Sequence, residues 1–144
     1  MNAETNKYIV GKKASLSKLI TEDEVRQFAK ISLDTNPAHL DHQYAATTMF
    51  KKPIAHGMLT GALVSAVLGT VLPGPGAIYL SQSFNFHKPV YFQETITAHV
   101  EITHIDEKEN KQGRIDKFLT LKTWVENAEY TMVLSGEAKV LVKG

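Results

Sequence analysis

Hydrophobic and polar positions divide this chain into an α-helical first half and a β-rich second half. Residues 8–20 alternate loosely, with Ala14, Leu16, Lys18 and Ile20 set against Lys13, Ser15, Ser17 and Leu19, which predicts an opening strand. Thr21 then has Glu24 three positions on. That capping box predicts a helix from about Glu22, with Val25, Phe28, Ala29 and Ser32 on one face. A short helix is expected in 41–46, with Asp41 near its start. From His56 the character changes. Met58, Leu59, Ala62, Leu63, Ala66, Val67 and Val71 recur at helical spacing, and no Asp, Glu, Lys or Arg occurs between Lys52 and His87. A helix apolar nearly all round must be buried. It has to stop before Leu72-Pro73-Gly74-Pro75-Gly76, which cannot continue a helix.

The remainder reads as strands over 77–87, 95–105, 117–127 and 131–142. Ile96, Ala98, Val100 and Ile102 alternate with Thr95, Thr97, His99 and Glu101, as in a sheet with one wet face. Met132, Leu134, Gly136, Ala138, Val140 and Val142 repeat the pattern. The connections are short and polar, which favours antiparallel hairpins. An apolar helix that needs cover and a long sheet with one apolar face to offer have a simple joint solution: an α+β hot-dog arrangement, with the curved antiparallel sheet wrapped around the helix. One such unit leaves strand edges open and part of the helix uncovered, so a homodimer is expected.

Composition narrows the function. The 144 residues suit a single domain over 1–144, with 43% hydrophobic and 22% charged positions. The formal net charge is +1 and the charges are scattered, so no basic stripe awaits nucleic acid. There is no cysteine, which excludes disulfides, thiolate nucleophiles and Cys-ligated metal. Residues 1–7 are polar, unlike a signal peptide, and no apolar run has the length of a membrane span; a soluble cytoplasmic protein is expected.

The candidate chemistry lies between the helical segments, in Ser32-Leu33-Asp34-Thr35-Asn36-Pro37-Ala38-His39. Pro37 lacks an N–H and pushes Asn36 out of the helical region, so Asp34 and His39 share one short stiffened turn. Asn36 reads as its organiser. Asp-x-Asn-Pro is equally an ordinary turn sequence, and these residues alone leave both readings open. The second stretch, Pro53-Ile54-Ala55-His56-Gly57-Met58-Leu59, opens the buried helix and favours the functional one.

These two motifs, together with Ala45-Ala46-Thr47-Thr48, the segment from Leu72 to Phe84 and the Ser135-Gly136-Glu137-Ala138 ending, resemble the MaoC-like hydratases. Within them the chain is most similar to the (R)-specific enoyl-CoA hydratases. The similarity runs from about Lys7 to Val142. One departure is Leu33, since such families often carry Gly immediately before the Asp. The resemblance implies reversible hydration of a trans-2-enoyl thioester, carried by CoA or acyl carrier protein, to the (R)-3-hydroxyacyl product. It implies a catalytic pair at Asp34 and His39 and a thioester-binding amide at Gly57. It also puts Ser65, Leu68 and Val140 in or near the acyl pocket.

That chemistry fits the residue types. A carboxylate and an imidazole on one turn can hold and deprotonate a water and return a proton to C2. Free N–H groups at the tip of the buried helix can take the charge growing on the thioester oxygen. No metal or organic cofactor is required. Two other readings stand beside it: a thioesterase on the same fold, and a non-catalytic acyl-thioester-binding subunit. Among the other histidines, His56 reads as a residue that caps or packs at the start of the helix. His87, His99 and His104 read as surface, and His39 with His42 makes a poor metal site.

Overall fold

The computed structural model describes residues 7–144; the polar stretch 1–6 lies outside the described residues. Strand β1 (Lys13–Leu19) starts later than the alternation suggested. Residues 8–12 form a turn instead, in which Gly11 takes φ +95°. Helix α1 (Glu22–Ser32) begins at the predicted capping box: Thr21 accepts from the Glu24 N–H, and the Glu24 carboxylate accepts from the Thr21 N–H. Val25 and Ala29 are buried on its inner face.

Two short helices follow. In α2 (Pro37–Leu40) the proline occupies the first helical position, where its missing N–H costs nothing, and Asn36 is the N-cap. The expected turn is therefore a single helical turn. Helix α3 (His42–Ala46) is capped by Asp41, which accepts from the amides of Gln43 and Tyr44.

The long helix α4 (Gly57–Thr70) lies against a six-stranded antiparallel sheet. Its strands are β1, β2 (Ala77–Gln82), β3 (Asn85–Phe86), β4 (Thr95–Glu109), β5 (Ile115–Asn127) and β6 (Met132–Val142). Their order is β1-β4-β5-β6-β2, with β3 also on β6. The expected strand over 77–87 is thus split in two. Ile96, Ala98, Val100 and Ile102 of β4 are fully buried against α4, as their alternation predicted. Burying each of the larger ones contributes about 1.5–3 kcal/mol. This is the hot-dog fold.

Helix α4 is not covered all round. Thr60, Gly61, Val64, Val67 and Leu68 are buried, whereas Met58, Ala62, Ser65 and Gly69 form an exposed stripe. Met58 is 59% exposed. The sheet of one chain has only one concave face, so it can cover only one side of the helix.

Candidate active site

The site forms where the end of α1, the short α2 and the start of α4 meet. Helix α1 terminates at Leu33, whose φ of +67° turns the chain back on itself. Glycine adopts this left-handed conformation freely and leucine does not, which gives a physical reason to expect glycine there. The turn is tied internally. The Ser32 hydroxyl donates to the Phe28 carbonyl and accepts from the Asp34 N–H; the Asp34 carboxylate accepts from the Asn36 N–H, and the Asn36 side-chain Oδ1 from the Ala38 N–H. Asn36 is thus a loop organiser.

His39 extends from α2 toward the start of α4. Its Nδ1 lies 2.7 Å from the Ile54 carbonyl, which can only accept. Nδ1 therefore carries the proton, and the Nε2 lone pair is left free. His56 is buried, and its Nε2 lies 2.9 Å from the Asp34 carbonyl, so this imidazole is protonated on Nε2. Burial holds the His56 pKa below the ordinary histidine value, and the neighbouring His39 adds to the effect; the bond to Asp34 opposes it. His56 makes no side-chain cap to the helix.

Asp34, His39 and His56 offer ligand atoms within 4.8 Å of one another. The two imidazoles are stacked, with centroids 3.9 Å apart and planes at 29°. Each ring has one nitrogen committed to a backbone carbonyl, and the remaining nitrogen of His56, Nδ1, is buried. That leaves the Asp34 carboxylate and the His39 Nε2 as the two acceptors available to a water.

All three side chains line a cavity of about 460 Å³, with Gly57, Phe50, Phe86, His87, Lys88 and Leu134 among its other walls. Gly57 is the first residue of α4, so its amide has no acceptor within the helix. A Cβ at this position would meet the Phe86 ring at 2.7 Å. The glycine therefore makes room for an aromatic wall as well as leaving the amide open to the cavity. Phe86 and His87 were not singled out from the sequence for this site, and their contribution depends on β3 crossing the tip of α4.

The acyl-pocket positions separate. Ser65 lines a second, mostly apolar cavity of about 490 Å³ with Phe28, Met58, Tyr79, Leu80 and Phe84. Leu68 and Val140 are core residues that line neither cavity. Those three positions rest on the family resemblance, and of them the structure brings only Ser65 to a cavity wall.

The sequence matches the MaoC like domain family over residues 7–124. It is 48% identical over 132 residues to the (R)-specific enoyl-CoA hydratase of Rhodospirillum rubrum, covering 92% of this chain and 86% of that one. The chain belongs to the MaoC-like family. A second relative in that family, the (R)-specific enoyl-CoA hydratase of Aeromonas caviae, is 45% identical over 131 residues, covering 91% and 92% of the two chains. The solved structure described as the (R)-hydratase from A. caviae involved in PHA biosynthesis superimposes with a TM-score of 0.84. That match has 44% identity and covers 92% of this chain and 96% of that one. The MaoC-like fold and the paired Asp34–His39 cavity are thus features of one molecule.

Proposed function

We propose that this MaoC-like chain is a hydro-lyase that adds water to trans-2-enoyl-CoA and gives (R)-3-hydroxyacyl-CoA, reversibly. The observation that carries the reading is the His39 tautomer. With Nδ1–H bound to the Ile54 carbonyl, the Nε2 lone pair and the Asp34 carboxylate are two acceptors beside the amide of Gly57. A water held by both loses a proton as its oxygen bonds to C3. The C2=C3 electrons shift toward the thioester, and the Gly57 N–H takes the charge that gathers on its oxygen. A proton returned to C2 completes the addition. Asp34 and His39 act as a unit in this step, with no single owner of the proton assigned. The (R) outcome follows the two (R)-specific hydratases that share 48% and 45% identity with this chain.

The same proposal includes one domain, a homodimer and a cytoplasmic address. A single sheet and a single core span the described residues, which supports one domain over 1–144. Strand β2 is an open sheet edge, and beside it the α4 stripe, Tyr79 and Leu80 leave apolar surface exposed; a second copy would cover both. No helix among the described residues is long and apolar enough to cross a membrane. The test of function is a hydration assay across enoyl-CoA chain lengths, with the same acyl groups on acyl carrier protein and with product stereochemistry determined. Loss of the enoyl absorbance with (R)-3-hydroxyacyl product supports the reading. Release of free thiol would instead indicate a thioesterase, and tight binding without turnover a non-catalytic subunit.

A further inference from the structure

His56 has an environment that neither packing nor capping explains. It is 1% exposed, yet its Nδ1 is buried without a hydrogen-bond partner. A residue selected only for filling space would be apolar and carry no such unsatisfied nitrogen. A residue selected for capping would bond the free amides of α4, and His56 does not. Its other contacts run to the two residues proposed to perform the chemistry. The Nε2–H donates to the Asp34 carbonyl at 2.9 Å, and the ring lies face to face with His39 at 3.9 Å. On a further side the Phe28 ring of α1 closes over it at 4.9 Å.

We infer that His56 is a positioning residue for the Asp34–His39 pair. Its N–H anchors the loop that carries the carboxylate, and its ring face sets the plane of the catalytic imidazole. His39 is then held on an edge by the Ile54 carbonyl and on a face by His56, so its Nε2 keeps one direction. Asp34 is held by its own carbonyl, and its carboxylate, which also accepts from the Asn36 N–H, keeps acceptor capacity for a water. This inference rests on the hydratase reading of the site. The titratable groups facing His56 among the described residues are Asp34 and His39; Phe28 is apolar. A positive charge on His56 would sit against His39, and its Nδ1–H would lack an acceptor, so the geometry favours a neutral His56 ring.

The test compares His56→Gln, which keeps an N–H donor, with His56→Leu, which does not. A misplacement of the order of 1 Å at a reacting group costs roughly a hundredfold in rate. The expected result is that His56→Leu lowers kcat on crotonyl-CoA by about a hundredfold with KM changed less than about threefold, while His56→Gln recovers most of the loss. In an Asp34→Asn background, His56→Leu should cost little more, because both act through one pair. Wild-type kcat in His56→Leu, or losses that multiply fully in the double variant, would overturn the inference. If His56→Leu fails to fold, 15N NMR of the unmutated protein decides: a neutral Nε2–H tautomer of His56 near neutral pH supports the role. An Nδ1–H tautomer, or a doubly protonated His56 ring near neutral pH, excludes it. Full hydration by Asp34→Asn would remove the role of the Asp34–His39 pair, and absence of hydration by the wild type would remove the hydratase reading, both outcomes distinct from a failure of the His56 inference.

Discussion

At the scale of single residues, the site depends on where a few protons and dihedral angles are fixed. One carbonyl, that of Ile54, decides which nitrogen of His39 can accept. One left-handed residue, Leu33, decides where α1 stops and Asp34 begins. Leucine in that conformation costs roughly 1–2 kcal/mol, partly offset by the roughly 0.5–1 kcal/mol of extra chain entropy that glycine would lose on folding. Leu33→Gly should therefore stabilise the fold by roughly 0.5–1 kcal/mol, a rise in Tm of about 2 °C for a chain of this size. Thermal unfolding checks it, and a fall in Tm would mean that the exposed leucine has a stabilising contact. The Asp34–Asn36–His39 turn was legible in the sequence because proline and Asx chemistry act over four or five residues. The stacking of His56 on His39 was not, since it depends on α2 and α4 being brought together by the rest of the fold.

At the scale of elements, local codes held where they were strong. The capping box placed α1, and strict alternation picked out the buried residues of β4. The weaker alternation over 8–20 overreached into a turn, and the run over 77–87 concealed the break between β2 and β3. The β4–β5 hairpin and the chain beyond β6 are joined at Asp116. Its carboxylate accepts from the Asn110 side chain, the Gly144 N–H and the Lys143 ammonium at 2.9 Å each. These donors, the Gly144 amide foremost, hold its pKa down to about 2 from an ordinary 3.8. A carboxyl with a depressed folded pKa contributes stability that is complete above its unfolded value and is lost as pH falls toward the folded one. Between pH about 4 and about 2, Tm should fall in the wild type and fall less steeply in Asp116→Asn. Parallel slopes in the two proteins would show that Asp116 carries none of the acid sensitivity.

At the scale of the whole molecule, the sequence required a buried helix and the single chain only half supplies one. The stripe of Met58, Ala62, Ser65 and Gly69 was indistinguishable from core by composition, because the surface proposed to cover it belongs to another copy. Sedimentation at micromolar concentration should give a mass of about twice 16.0 kDa. Met58→Lys, placed on the same stripe, should shift that mass toward the monomer. A 16.0 kDa species in the wild type would leave the exposed apolar stripe without its proposed partner.

The central claim is that Asp34 and His39 share one water beside a thioester oxygen held at Gly57. It is tested most directly by the turnover of Asp34→Asn and His39→Gln on crotonyl-CoA, each variant first verified as folded. General acid–base groups contribute about 10²–10⁴-fold, so each variant should lose at least about a hundredfold in kcat. Near wild-type hydration by either folded variant would contradict the claim.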